Sequence, residues 1–355
     1  MPISASAAAF AFIAALIGAG FASGKEIEQF FARFGAWGLL LAALCALMLF
    51  ALTYALLIVC RRFQASSVPA LCARVAPHGC AVLCRWLLTL LLCASAGAML
   101  CAGGELLSLL LPLRAAYWLG FAITLGWGVF LSVRSLRALG MLGRLLVPLM
   151  AALLLLLLRL KPVQVLSISP RPSPVLGLGL ALCYAPLNLA LSGGVICEAA
   201  QTLDARKSRS AACSFALGTG MLLMLGTLVL MRHQGQIQSA ALPFVVLCAR
   251  LGKPGFYACA AMLYLAVLST LTALLRALWN TPDAQIPLFS CFPCAISPEV
   301  KQRAGRVLST LACALCALVG FDRLIAAAYP VLGALCGVML LLVLARAFAC
   351  YSSER

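Results

Sequence analysis

The sequence predicts an all-α membrane protein of ten transmembrane helices, folded as a 5+5 inverted repeat in which helices one and six are discontinuous. Three observations predict it: an extreme apolar composition, ten apolar runs of near-spanning length, and two helix-breaking clusters at matching places in the two halves. Of 355 residues, 65% are hydrophobic and 10% charged, against roughly 45–50% and 25% in an ordinary soluble domain. A soluble fold of this size has no way to bury so much apolar surface. In hydrocarbon a helix satisfies its backbone polar groups internally, so its apolar side chains can face outward.

The runs fall at about 5–34, 36–60, 81–111, 115–132, 138–158, 175–203, 209–231, 256–279, 304–320 and 323–349. Most reach the roughly 20 residues a helix needs to cross the bilayer core. Met1 to Gly24 has the small, apolar character of a signal peptide. It lacks a basic start and runs directly into a charged amphipathic segment, so it reads as part of the first span. The net charge of +17 comes from Lys and Arg in the gaps between runs, which makes it a topology signal and argues against a nucleic-acid partner. With the N-terminus inside, sixteen of the 26 basic residues fall in inner loops or the C-terminus. Both termini are therefore expected in the cytoplasm and the chain in the plasma (inner) membrane.

Eighteen cysteines are scattered singly, as at Cys45, Cys93, Cys101, Cys183 and Cys197, and read as small packing residues without structural disulfides. Cys291 and Cys294 form one tight pair, but no second pair matches it and the chain has only two histidines, too few ligands for zinc. There is no phosphate-binding Gly-x-x-x-x-Gly-Lys loop, no His-Glu-x-x-His and no nucleophile–base pair. Neither ATP-driven transport by this chain nor an enzyme is expected.

Gly18, Gly20 and Gly24 lie within the first run; Pro186, Asn188, Ser192, Gly193 and Gly194 lie within the sixth. Glycine weakens a helix, and proline removes a backbone donor and crowds the preceding turn. Both runs are expected to unwind at mid-membrane. The break centres, Phe21 and Leu189, are 168 positions apart. That offset carries runs two and three to 204 and 249, near the observed 209 and 256; run four needs an insertion, supplied by the polar stretch 280–303. The result is one domain, 1–355, with repeat one at about 5–158 and repeat two at about 175–349. An odd number of spans per half inverts the second half.

Ser23 and Glu26 have capping-box spacing, so a half-helix is expected to start at Gly24. Amides at such a break favour an anionic group, while carbonyls of the half-helix before it, around Ala14 to Ile17, offer oxygens to a cation. Close helix packing is the alternative role for Gly18 and Gly20. Three glycines, the cap and a charged continuation together favour the break. In the sixth run Tyr184, Asn188 and Ser192 put a phenol, an amide and a hydroxyl at mid-membrane, where polar groups are costly unless paired or lining a wet cavity. They are candidate substrate contacts, although Asn188 could instead satisfy backbone freed by Pro186. Ala266, Ser269 and Thr270 share a face of the eighth run, a hard-oxygen set suited to sodium if it faces the first. Glu26, Glu105 and Glu198 are the acids eligible for proton coupling; for Glu198 an ion pair with Arg85 or Arg206 is the simpler role.

The stretch Gly18-Ala-Gly-Phe-Ala-Ser-Gly-Lys-Glu-Ile-Glu-Gln-Phe-Phe31 resembles the first-helix signature of the YkvI-like bacterial membrane proteins, a group regarded as amino acid permeases. These are similar to the amino acid-polyamine-organocation superfamily with its leucine-transporter (LeuT) fold. The resemblance implies that amides of Ala19 and Gly20 hold a substrate carboxylate. It implies that carbonyls of Leu16, Tyr184 and Ala185 hold an amino group. It also implies a sodium site from Ala14, Ile17, Ala266, Ser269 and Thr270. Phe21 stands where the neurotransmitter:sodium symporter branch has an asparagine for a second sodium, so that second site is not carried over. The expected function is cation-coupled symport of a small organic solute by alternating access, with sodium or a proton as coupling ion and no cofactor. The expected partners are that solute and the bilayer, with no obligate protein partner. A passive channel and a non-transporting sensor or scaffold are the alternatives; rings of like charge in the spans, which would favour a channel, are missing from the sequence.

Overall fold

The structure is a computed structural model and describes residues 4–133, 137–162, 172–237, 240–280 and 298–353. Among the described residues every regular element is a helix. The first run is three helices in line. α1 (Ala5–Leu16) starts on the Ser4 hydroxyl, which accepts from the Ala7 amide at 3.2 Å. It ends where Ile17 and Gly18 take ψ of 85° and −173°. α2 (Ala19–Ser23) and α3 (Lys25–Phe30) follow, hinged at Gly24 with φ +84°, a left-handed conformation that costs other residues roughly 1–2 kcal/mol. The capping box is not formed. Ser23 donates to the Gly20 carbonyl at 3.1 Å and accepts from the Lys25 amide at 3.2 Å. The half-helix after the break already begins at Ala19, so Ser23 lies at its end and cannot cap with Glu26.

After the first run come α4 (Ala36–Arg62), α5 (Val68–Val75), α6 (His78–Leu110), α7 (Ala116–Ser132) and α8 (Arg137–Leu158). Then follow α9 (Pro174–Ala200), α10 (Ala205–Arg232), the short α11 (Gln234–Ile237) and α12 (Pro243–Ala249), α13 (Lys253–Asn280) and α14 (Pro298–Ala317). The chain closes with α15 (Phe321–Arg323), a π-helical turn at Leu324–Ala328, and α16 (Tyr329–Ser353). Six stretches among the described residues are long and apolar enough to cross a membrane by themselves; α1, α7 and Leu145–Leu158 are shorter apolar helices. All ten expected runs are helical, and the chain is a multi-pass membrane protein. Cys291, Cys294 and most of the 280–303 stretch lie outside the described residues.

The sixth span corrects the sequence expectation: α9 runs unbroken through Pro186. Asn188 Nδ2 donates to the Tyr184 carbonyl at 3.0 Å and Ser192 Oγ to the Asn188 carbonyl at 2.7 Å, so these polar side chains are satisfied within the helix itself. α16 also braces it from outside. A Cβ on Gly333 would lie 2.7 Å from the Cys183 carbonyl oxygen, and one on Gly337 3.2 Å from the Pro186 ring. Gly193 serves packing too, since a Cβ there would meet Val68 at 2.8 Å. These residues are helix breakers in water but close-packing residues between membrane helices.

α1 lies against α8, α9 and α10; α4 packs along α9 and α10, and α6 against α7, α13 and α14. The buried core includes Phe12, Phe21, Phe215 and Tyr184, whereas Leu40, Leu47, Leu217 and Leu342 are exposed on outer faces, as hydrocarbon surroundings require. The double bend of the first span is thus held inside the bundle, with α13 and α6 beside it.

Candidate functional site at the first-helix break

The break interrupts the regular helical hydrogen bonds. The Gly18 amide turns back to the Leu16 carbonyl at 2.8 Å. The Ile17 carbonyl accepts from Thr270 Oγ1 of α13 at 3.2 Å. Next to Thr270 on α13, Ser269 Oγ donates to the Ala266 carbonyl, a turn back, at 3.0 Å. Ile17 and Ala266 are fully buried, while Ser269, Thr270 and Ala14 are half-buried. Gly18 leaves room for α13 and α6: a Cβ there would touch the Thr270 methyl and Met99 at 3.4 Å. The contact between the broken span and α13 is therefore Thr270 on the Ile17 carbonyl, while Ser269 and Ala266 bond within α13. Ala14 sits a turn before Ile17 on α1.

On the other side of the break stands a carboxyl group. Glu26, in the first turn of α3, is buried, and its side chain folds back over Gly20 so closely that a Cβ at Gly20 would overlap it. Tyr184 of α9 donates its hydroxyl to Glu26 Oε2 at 3.3 Å. The Tyr184 ring packs against both Phe30 and Phe31, with centroids 5.0 and 5.1 Å away. Where the sequence pointed to an incoming anionic group at Gly20, the protein's own carboxyl lies there.

Asn188 and Ser192 are buried on α9 with their hydrogens on carbonyls of that helix. Tyr184 is the member of the expected trio that reaches another span. Phe21, Leu16 and Ala185 are buried around the break. Ala19 forms the first turn of α2. Glu105 is half-buried on α6 and Glu198 is exposed near the end of α9, so neither joins the Glu26 cluster.

Sequence reasoning missed the contacts of Lys25. Its Nζ lies 3.4 Å from Glu28 Oε2 and 3.4 Å from Asp322 Oδ1 of α15, and donates to the Ala240 carbonyl at 3.1 Å. Phe244 of α12 packs its ring on Gly24, 3.0 Å from where a Cβ would stand. One lysine thus ties α3 to the head of the tenth span and to the α11–α12 connection. The available signal was a lysine, Lys25, within the first apolar run and an acid, Asp322, at the start of the tenth. Lys25 and Glu28 are buried, and an unpaired buried charge is costly, by about 1–3 kcal/mol or more. Lys25→Met is therefore expected to lower the thermal unfolding midpoint in detergent, with part recovered in Lys25→Met/Glu28→Gln. An unchanged midpoint in the single variant would remove this pairing as a stabilising element.

The sequence matches no protein-family model and no curated protein. The fold does have solved relatives. It is similar to a Na+-coupled sialic acid symporter solved in a substrate-bound, outward-open state, with a TM-score of 0.63 at 13% identity, over 97% of this chain and 78% of that one. It is also similar to a manganese transporter from Eremococcus coleocola, with a TM-score of 0.57 at 15% identity, over 95% of this chain and 78% of that one. At such identities the likeness is one of fold.

Proposed function

We propose that this chain is a secondary active transporter, a cation-coupled symporter of a small organic solute such as an amino acid or a related compound. It works by alternating access in the plasma membrane with both termini cytoplasmic, and its ten spans form two inverted halves. The observation that carries this reading is the junction at the first-helix break, where the Ile17 carbonyl meets Thr270 beside Ala266 and Ser269. Three carbonyls, from Ala14, Ile17 and Ala266, and the Ser269 and Thr270 hydroxyls make up the sodium site. Hard oxygen ligands on two separate helices let ion binding draw α1 and α13 together, which couples the ion to a conformational step. The fold likeness to a Na+-coupled symporter supports the same choice of ion.

The solute lies against Gly18, Ala19, Gly20, Phe21, Tyr184, Asn188 and Ser192. With Glu26 occupying the face of Gly20, the charged end of the solute nearest that glycine is its amino group. The Lys25, Glu28 and Asp322 cluster, with the α11–α12 connection, closes one end of this path. A proton is the second reading of the coupling ion, favoured by Glu26, whose single hydrogen-bond partner among the described residues is Tyr184. Uptake of labelled amino acids into proteoliposomes, under an imposed sodium gradient or an imposed proton gradient, tests both. Accumulation above equilibrium with one gradient identifies the ion. Failure to accumulate any small zwitterion or organic cation under either would overturn the proposal.

A further inference from the structure

We propose that the arginine-bearing end of α4 is a binding site for the phosphate headgroup of an anionic phospholipid of the inner leaflet. A pocket of about 620 Å³ opens there between the end of α4, the start of α10 and the end of α16, lined by Ile58, Arg61, Arg62, Gln64, Ser208 and Phe348 among others. It lies apart from the first-helix break; the inference rests on the proposed topology, with both termini cytoplasmic, and not on transport.

The turn that presents the arginines is firmly built. Gln64 has φ +48° and, among the described residues, is the single non-glycine residue in the left-handed region. Beyond it the Ala65 amide closes back on the Cys60 carbonyl at 2.9 Å, the αL turn that ends many helices. Gln201 of the α9–α10 junction fastens this turn, its Nε2 lying 3.2 Å from the Cys60 carbonyl and 3.0 Å from that of Ala65. Arg61 and Arg62 both lie in the last turn of α4 and both line the pocket.

A second observation points to a ligand. Ser208 lines the pocket, is 2% exposed, and its hydroxyl is buried without a hydrogen-bond partner. A buried hydroxyl without a partner is unfavourable, and a phosphate oxygen supplies an acceptor for it. The nearby acid, Asp204, caps α10 through the Lys207 amide at 2.7 Å and pairs with Lys207 Nζ at 3.2 Å. That amide in the first place, then the Lys207 side chain and the charge of Arg61, holds its carboxyl below the usual range.

The apolar part of the pocket decides between a lipid and free phosphate. Ile58 and Phe348 are 37% and 44% exposed on the outer surface, which gives acyl chains a path from the headgroup into hydrocarbon. Basic residues at the cytoplasmic boundary concentrate anionic lipid, and guanidinium groups bind phosphate by paired hydrogen bonds. Lys207 and Arg346 lie on the first turn of α10 and the last turns of α16, at the same end of the molecule.

Native mass spectrometry of the purified full-length protein, titrated separately with phosphatidylglycerol, phosphatidylcholine and inorganic phosphate, tests the site. One phosphatidylglycerol is expected to be retained with at least about tenfold preference over phosphatidylcholine. Arg61→Gln/Arg62→Gln is expected to abolish that preference, whereas Arg206→Gln/Arg209→Gln, with the same loss of charge, preserves it. Ser208→Ala is expected to weaken retention severalfold and keeps the test in force if the double arginine variant does not fold. Equal retention of the two lipids, unchanged retention in Arg61→Gln/Arg62→Gln or in Ser208→Ala, or displacement of the lipid by inorganic phosphate would each overturn the assignment.

Discussion

Thr270→Ala is expected to shift the sodium dependence of uptake to concentrations about 10–100-fold higher. The reasoning starts from the Ile17 carbonyl, which lies at a helix break and receives the Thr270 hydroxyl at 3.2 Å. Hydrogen bonds and ligand contacts to charged groups are worth about 1.5–3 kcal/mol, and each 1.4 kcal/mol is about tenfold in affinity. Removing one of five oxygens from the proposed sodium site loses one such contact without opening a large cavity. Thr270→Ser keeps the oxygen and is expected to stay near wild type. Uptake into proteoliposomes over a sodium titration gives the result directly. Identical sodium curves for wild type and Thr270→Ala would remove the cation site from this junction, whether or not transport persisted.

The second large effect is expected at Gly20. Alanine there has no room, because the Glu26 side chain covers the glycine. Glutamate is flexible enough to move, but moving takes its carboxyl away from Tyr184 Oη, its hydrogen-bond partner at 3.3 Å, and into a crowded interior. Overpacking costs about 1–3 kcal/mol, and displacement of a buried polar group adds about as much again. Gly20→Ala is expected to lower the unfolding midpoint and to reduce uptake to background. The double variant Gly20→Ala/Glu26→Ala should recover the midpoint without recovering uptake, since the clash is gone and so is the carboxyl. Near-additive midpoint shifts in the two single variants and the double would show that Gly20 and Glu26 do not interact. A double variant with wild-type uptake would take Glu26 out of the mechanism.

Both experiments act on a span whose irregularity is visible in its residues. Gly18 and Gly24 mark the two places where the first helix bends: Gly18 takes an extended backbone open to any residue, and Gly24 a left-handed one that glycine adopts without strain. The hydroxyl face of the eighth span is local as well: Ala266, Ser269 and Thr270 follow from helical spacing alone. That this face meets Ile17 depends on how α13 packs against the break, and spacing within one helix contains no such information.

Pro186 shows the limit of local reasoning most clearly. Composition makes the sixth run a candidate for unwinding, yet α9 continues through it, because Gly333 and Gly337 of α16 bring a second helix close enough to brace it. The partners of Lys25 lie 3, 215 and 297 positions along the chain, in Glu28, Ala240 and Asp322. The covering of Gly20 by Glu26 likewise needs the bend at Gly24 before it can be seen. Ser208 gains its meaning from Arg61 and Arg62, which line the same pocket because α4 packs on α10.

Composition and periodicity were thus sufficient for a helical membrane protein, its apolar runs and the break in its first span, since these depend on the solvation of each segment and the torsional freedom of single residues. The course of α9, the burial of Glu26 over Gly20, the Lys25 ion pairs and the pocket at Arg61 and Arg62 came from the folded bundle. They depend on which helices become neighbours, and between apolar helices of similar composition that choice is made by close packing of small residues and by a few polar contacts.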